Sequence, residues 1–317
     1  MASTDHAAVR RASDLIRAGG LVAFPTETVY GLGANALDAA AVARIYEVKA
    51  RPKGSPLIVH VDSIKMARGL AAAWPPEADK LGRRYWPGPL TLVLPKRPEI
   101  PDIVTAGLGT VGIRVPSHPL ALALIREAGV PIAAPSANPF SRLSPTTAEH
   151  VSEMLGDRVD MVLDGGPAKV GIESTVLSLA CPAPRLLRPG AISRAEIEAL
   201  IGPVVLAGRI EDEGSAHASP GRHARHYSPR TPLLLVAGGV LPRSGRGAYL
   251  WIRNPAAADS CIHMPDDASA YASVLYDTLH REDVKGWDWI AVEEPPAAVE
   301  WMAVRDRLVR ASGGRGA

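Results

Sequence analysis

Along roughly the first two thirds of the chain, short runs of apolar residues alternate with segments whose apolar positions recur every three or four residues. LVAF (21–24), PLIVHV (56–61), LTLVLP (90–95), VGIRVP (111–116), PIAAPSA (131–137), DMVLDGG (160–166), STVLSL (174–179) and RLLRPG (185–190) read as strands or as a strand with its turn. Between them DAAAVARIYEVKAR, HPLALALIREAG, TTAEHVSEMLG and SRAEIEALIG predict helices, with Asp38 and Ser193 as N-caps of the first and last. The leading MASTDHAAVRRASDLIRAGG predicts an amphipathic helix closed by Gly19-Gly20. It lacks the apolar core of a signal peptide. Strands alternating with helices predict an α/β fold, a mixed sheet covered by helices, over residues 1–208.

Residues 209–231, RIEDEGSAHASPGRHARHYSPRT, have no periodic apolar face and read as a linker. The pattern resumes over 232–317. PLLLVA, AYLWI and WDWIAVEE predict strands, and ASAYASVLYDTLHRE and AAVEWMAVRDRLVRA predict helices, giving a smaller α/β domain of Rossmann-like order. No repeat at a period of 20–50 residues is evident.

Composition narrows the class. Apolar residues make up 47% of the 317 and charged residues 21%, the proportions of a globular chain. No apolar run approaches the roughly 20 residues of a membrane span. Two cysteines, Cys181 and Cys261, with no C-x-x-C, fit a reducing cytoplasm and exclude a cysteine-built zinc site. The net charge of +2 makes no global case for nucleic acid. With 28 arginines against 7 lysines, biased composition explains the arginine content better than phosphate binding does.

The candidate chemistry lies at strand ends. FPTETVYGLGANA (24–36) sets Thr26, Glu27, Thr28 and Tyr30 where an apolar strand should continue. GLGANA matches G-x-G-x-x-A, but six residues separate the strand from the glycines and no acid follows about 20 residues on, so the dinucleotide reading fails. A phosphate-loop sequence is absent. In KARPKGSPL (49–57), Lys49 and Arg51 end a helix before a turn through Gly54 and Ser55. They form either a solvated helix end or a clamp for a polyphosphate. APSANPFSRLSPTT (134–147) holds Ser136, Asn138, Ser141 and Ser144 among prolines after a strand, as an ordinary polar turn or a cleft wall. Thr110 and Arg114 interrupt one apolar strand, and Arg114 must be partner to a buried acid or clamp for a carboxylate. Ser174 and Thr175 precede another strand, Arg188 ends a third, and His60 lies within a fourth. His223 and His226 have H-x-x-H spacing without a third ligand. No Ser-His-Asp pattern, H-E-x-x-H or catalytic carboxylate pair is visible. Clamping and charge stabilisation, as in nucleotidyl transfer from ATP with Mg²⁺, fit this inventory.

Taken in order, PTETVYGLG, KARPKGSPL, WPGPLTLVL, APSANPFS, GIESTV and LRPG resemble the YrdC-like family. The linker and second α/β domain make the chain similar to its two-domain members, the threonylcarbamoyl-AMP synthases. The resemblance covers residues 10–208, SPGRHARHYSP, and, by pattern, 232–317, where AVRDRL is its best piece. It implies a twisted sheet around a basic concave cleft. The implied reaction converts L-threonine, bicarbonate and ATP to threonylcarbamoyl-AMP and pyrophosphate. The downstream partner would be a tRNA threonylcarbamoyl transferase machinery. By the same resemblance, Thr28, His60, Arg114, Ala134 and Ser174 would surround L-threonine. ATP would be held by Arg51, Ser55, Thr110, Ser136, Ser144 and Arg188, with Lys49 and Asn138 close to the phosphates. Lys49 and Arg51 would be the catalytic pair, and Tyr227, also one of the ATP-binding set, would reach back over the cleft as a lid. The linker departs from the family in carrying His223 where a bulky residue is usual. Two other classes compete: an RNA-binding module, disfavoured by 5% aromatics and no stacking platform, and a carbamoyl-transfer enzyme of hydrogenase maturation, whose extra parts are absent.

Overall fold

The computed structural model describes residues 6–207 and 226–313. The stretch 208–225, with His223 and most of the 209–231 linker, lies outside the described residues. The first sheet comprises β1 (Val22–Phe24), β2 (Gly31–Asn35), β3 (Ile58–His60), β4 (Leu90–Pro95), β5 (Thr110–Arg114), β6 (Ile132–Ala133), β7 (Met161–Val162), β8 (Thr175–Ser178), β9 (Arg185–Arg188) and β10 (Val205–Leu206). Their order is β10-β9-β8-β4-β5-β3-β6-β2-β1-β7, with parallel and antiparallel pairings mixed. The apolar runs are covered on both faces. Helices His6–Arg17 and Pro119–Ala128 bring Ala12, Ile16, Leu124 and Ile125 onto Val22, Phe24 and Ile132. Helix Ala39–Lys49 brings Val42 and Ile45 into the larger core with Leu32 and Val59.

The expected caps are in place. Asp38 accepts from the Ala40 and Ala41 amides, and Ser193 forms a reciprocal capping box with Glu196. Helix Ala39–Lys49 ends at Ala50, which is left-handed at φ 50°. Several features go beyond the sequence reading. Helices Ile64–Leu70 and Pro76–Tyr85 form; PEADKLGRRY is polar overall and buries a narrow stripe of Ala78, Leu81 and Gly82 at helical spacing. The GLG segment is itself a strand, β2, paired antiparallel with β1 and β6. Its glycines serve packing: a Cβ on Gly33 would lie 2.7 Å from the Phe24 ring and 2.8 Å from Ile132 Cγ2.

The second sheet comprises β11 (Leu233–Val236), β12 (Gly247–Trp251), β13 (Ser260–His263) and β14 (Trp289–Glu293), all parallel in the order β11-β14-β12-β13. Here β13 is an addition to the predicted strands. Helices Ala268–Asp283 and Met302–Ala311 pack Tyr271, Leu275, Val304 and Leu308 against Leu250, Ile290 and Val292. The same core takes in Val29, Leu143 and Ile172 from the first unit, so the two units share buried apolar surface. No described helix is long and apolar enough to cross a membrane.

Gly33→Ala should destabilise the protein by about 1–3 kcal/mol through overpacking between β1 and β6. Gly69→Ala, whose Cβ meets nothing within 4 Å, should not. Urea midpoints compare the two, and an unshifted Gly33→Ala midpoint would contradict this packing role.

Candidate active site

Two loops leave the sheet side by side and are zipped together by main-chain hydrogen bonds. Tyr30 N donates to Pro145 O, Leu32 N to Pro135 O and Ala137 N to Tyr30 O, while Ala134 N reaches Ile58 O on β3. In the first loop, Thr26 Oγ1 accepts from the Thr28 and Val29 amides and donates to Val29 O, which turns the chain tightly enough to face both threonines inward. The third wall is the 173–174 turn leading into β8, backed by Gly190. A Cβ on Gly190 would stand 2.3 Å from Thr175 N, so the LRPG turn can press against this wall only with glycine there.

The cavity measures about 50 Å³. Its lining includes Thr26, Thr28, His60, Arg114, Ala134, Ser136, Ser174, Arg51, Arg188, Glu173, His226 and Tyr227. That volume is far below the roughly 300–1,000 Å³ of an occupied ligand pocket, and the chain itself narrows it. His226 N donates to Arg310 O, and Ser228 bonds Ser141 O through its amide and Ala311 O through its hydroxyl. This strap carries the Tyr227 ring inward, with Tyr227 left-handed at φ 60° and its hydroxyl buried without a partner.

Three arginines meet here, each differently satisfied. Arg114 pairs with Glu27 at 2.8 Å, donates to Thr28 Oγ1 at 2.9 Å and touches Gly88 O. Arg188 donates to Ser174 O and Oγ at 3.1 and 3.2 Å, and Ser174 Oγ is also hydrogen-bonded to Thr91 Oγ1 at 2.8 Å. Arg51 donates to the carbonyls of Ser55 and Pro56 and lies over the Phe140 ring; burial lowers its pKa to about 10, still charged at neutral pH. Burial and the neighbouring Arg114 lower His60 to about 3, so its imidazole is neutral, with Nδ1 buried and unpartnered. Burial alone would raise the Glu173 carboxyl. Arg307, Arg188 and the Ser144 hydroxyl more than offset that and hold it below the usual carboxylate range.

All five residues assigned to L-threonine by resemblance line this pocket, together with Arg51, Ser136, Arg188 and Tyr227 from the ATP set. The others lie elsewhere. Lys49, expected near the phosphates, is fully buried and directs Nζ to the carbonyls of Ser136 and Asn138 and to Asn138 Oδ1. A buried ammonium needs acceptors, and this loop supplies them. Asn138 completes the cage by donating to Arg142 O. Ser144 donates to Glu173, and Ser55 offers its carbonyl to Arg51 and Tyr46. Thr110 borders a separate hollow with Thr91 and Val93. Tyr30 turns away to the Gly165–Gly166 loop. Sequence reasoning did not pair Glu27 with Arg114 and did not place Glu173 or His226 in the pocket. An acid inside the quoted GIESTV was a signal for Glu173, since such a group demands a cation.

A helix-covered mixed sheet with hydroxyls and arginines converging on one narrow pocket defines an α/β protein of YrdC-like type. Residues 14–190 match the Sua5/YciO/YrdC family model, described as telomere recombination, and residues 192–313 match the model for the C-terminal domain of threonylcarbamoyl-AMP synthase. The chain belongs to this threonylcarbamoyl-AMP synthase family. It is 44% identical to the threonylcarbamoyl-AMP synthase of Bacillus subtilis over 99% of this chain and 95% of that one. It is 41% identical to that of Pyrococcus abyssi over 97% and 94%. The crystal structure of P. abyssi Sua5 complexed with L-threonine superposes with a TM-score of 0.92 at 40% identity, covering 98% of this chain and 96% of that one.

Because the His60 pKa is near 3 when folded and 6.5 at its ordinary value, the unfolded chain binds more protons between those limits. Stability contributed by keeping this ring neutral is therefore complete above pH 6.5 and is lost as pH falls through that window. His60→Gln should give a shallower fall in unfolding free energy across the window. Parallel urea titrations check this, and identical slopes would contradict it.

Proposed function

We infer that the chain is a threonylcarbamoyl-AMP synthase, which makes threonylcarbamoyl-AMP and pyrophosphate from L-threonine, bicarbonate and ATP for threonylcarbamoyladenosine modification of tRNA. The observation that carries the reading is the convergence of Thr28, His60, Arg114, Ala134 and Ser174 in one pocket beside Arg51 and Arg188. In the reaction, the neutral amine of threonine adds to the carbon of bicarbonate and water leaves, giving a carbamate. A carbamate oxygen then attacks the α-phosphorus of ATP. The bond from that phosphorus to the bridging oxygen breaks, and pyrophosphate departs with the electron pair.

No step needs an enzyme nucleophile; positioning and charge stabilisation suffice. Arg114, oriented by Glu27, takes the threonine carboxylate. Neutral His60 and the Thr28 and Ser174 hydroxyls meet the amine and the side-chain hydroxyl. Arg51 and Arg188 face the phosphates, and Ser136 and Tyr227 border them. Lys49 acts by holding the Ser136–Asn138 loop. Mg²⁺ would come with ATP and offset the charge on its phosphates. Among the described residues no cluster of three or more His, Cys, Asp or Glu suits a metal, and Glu173, the one acid of the pocket lining, is bound to Arg307 and Ser144. The strap must lift to admit ATP and close again, which would keep water from the carbamate and the mixed anhydride. The product passes to a tRNA threonylcarbamoyl transferase, and the setting is the cytoplasm.

Pyrophosphate release measured with ATP and Mg²⁺ should require both L-threonine and bicarbonate. Release without threonine, or none, would sink the assignment. Arg114→Lys keeps a cation beside Glu27 but loses the fork, and should raise the KM for threonine by about tenfold or more, on the order of 1–3 kcal/mol.

A further inference from the structure

The active-site wall contains a contact from outside its own unit. Arg307, in helix Met302–Ala311 of the C-terminal unit, is fully buried. Its Nε lies 2.7 Å from Glu173 Oε2, and its Nη2 donates to Glu173 O at 3.3 Å and Pro189 O at 3.1 Å. The guanidinium carbon sits 5.2 Å from the centroid of the Tyr227 ring. The next carbonyl along, Ser174 O, is held by Arg188 of the first unit. Two arginines, one from each unit, thus pin consecutive carbonyls of the turn that presents Ser174.

We propose that Arg307 is a positioning residue for the threonylcarbamoyl-AMP synthase reaction, acting through the Glu173–Ser174 turn and the Tyr227 ring to set the geometry of the substrate pocket. Simple adhesion between units does not explain these contacts. Well-packed apolar residues hold an interface at least as well as a buried ion pair, and the shared core of Val29, Leu143 and Ile172 already does so. An arginine fork, by contrast, reaches a carboxylate and two main-chain oxygens in one fixed plane. The contacted wall has little slack, because Gly190 is packed against the backbone of residues 173–175. A displaced guanidinium therefore shifts Ser174 instead of being absorbed. Tyr227 is gripped on the same terms: its ring lies 6.0 Å from that of Tyr276, whose hydroxyl faces both Glu173 oxygens.

The inference rests on the functional reading above, and its test separates the two. Arg307→Lys keeps a charge opposite Glu173 but cannot span Glu173 Oε2, Glu173 O and Pro189 O together. Arg307→Met combined with Glu173→Gln removes both buried charges and guards against a single variant that fails to fold. For each, kcat and KM for L-threonine are measured per folded molecule, alongside the melting temperature and calorimetric binding of L-threonine. Positioning predicts that Arg307→Lys lowers kcat/KM for threonine about ten- to a hundredfold with weaker threonine binding. It also predicts that the double variant regains melting temperature without regaining that kcat/KM. Wild-type kinetic constants in the folded Lys variant, or in the double variant, would overturn the proposal and leave Arg307 a purely structural contact. If the unaltered chain releases no pyrophosphate, the functional reading itself fails.

Discussion

The burial of one carboxylate, Glu173, sets the terms for how the two units of the chain sit together. An ion of that size taken from water carries a penalty of several kcal/mol unless charge and hydrogen bonds replace what water supplied. The replacements come from separate parts of the chain: Arg307 from helix Met302–Ala311, Tyr276 from helix Ala268–Asp283, Ser144 from the loop after β6, and the field of Arg188 at the end of β9. They can converge only if the second unit is seated where it is found. Its neighbours conform to that placement. Gly171 takes φ 76° and approaches so closely that a Cβ would lie 2.3 Å from Ala272 O, and His150 stacks on His280 with ring centroids 3.9 Å apart. Between these contacts the strap at 226–228 has one path, and that path leads the Tyr227 ring into the pocket.

The same constraint explains which features were legible in the sequence. Strands such as LTLVLP and helices such as HPLALALIREAG announce themselves through local apolar pattern and flanking turn residues, and nearly all of them form. Gly31–Asn35 was hidden because a strand rich in glycine has no side-chain period to read, and its reason for glycine lies in Phe24 and Ile132, far away in sequence. In the site, Thr28, His60, Arg114, Ser174 and Arg188 were conspicuous as polar residues in or beside apolar strands. Their partners were not, since Glu27 meets Arg114 across 87 positions and Glu173 meets Arg307 across 134. Lys49 shows the converse case. Its charge and motif were legible, but the direction of its ammonium depends on the nearest acceptors, and those are carbonyls of a loop nearly ninety residues on.

The division of labour among the arginines follows from what each already holds. Arg114 has a carboxylate partner in Glu27, so it is a fixed and oriented cation, suited to receiving a small anionic group without rearranging. Arg51 is bonded to carbonyls, in a setting where burial has already weakened its hold on the proton. A polyphosphate beside it would supply the counter-charge that dipoles only partly provide. Arg307 is directed at the wall itself and never lines the cavity. A pocket that joins an amino acid to a nucleotide through a labile carbamate needs all three functions: an anchor for the carboxylate, a counter-charge for the departing phosphates, and a wall rigid enough to keep the two reactants in line while the strap excludes water. Arg114 on β5 is placed for the first, and Arg51, in the turn after helix Ala39–Lys49, for the second. Arg307 of the second unit would supply the third by bracing the Glu173–Ser174 turn.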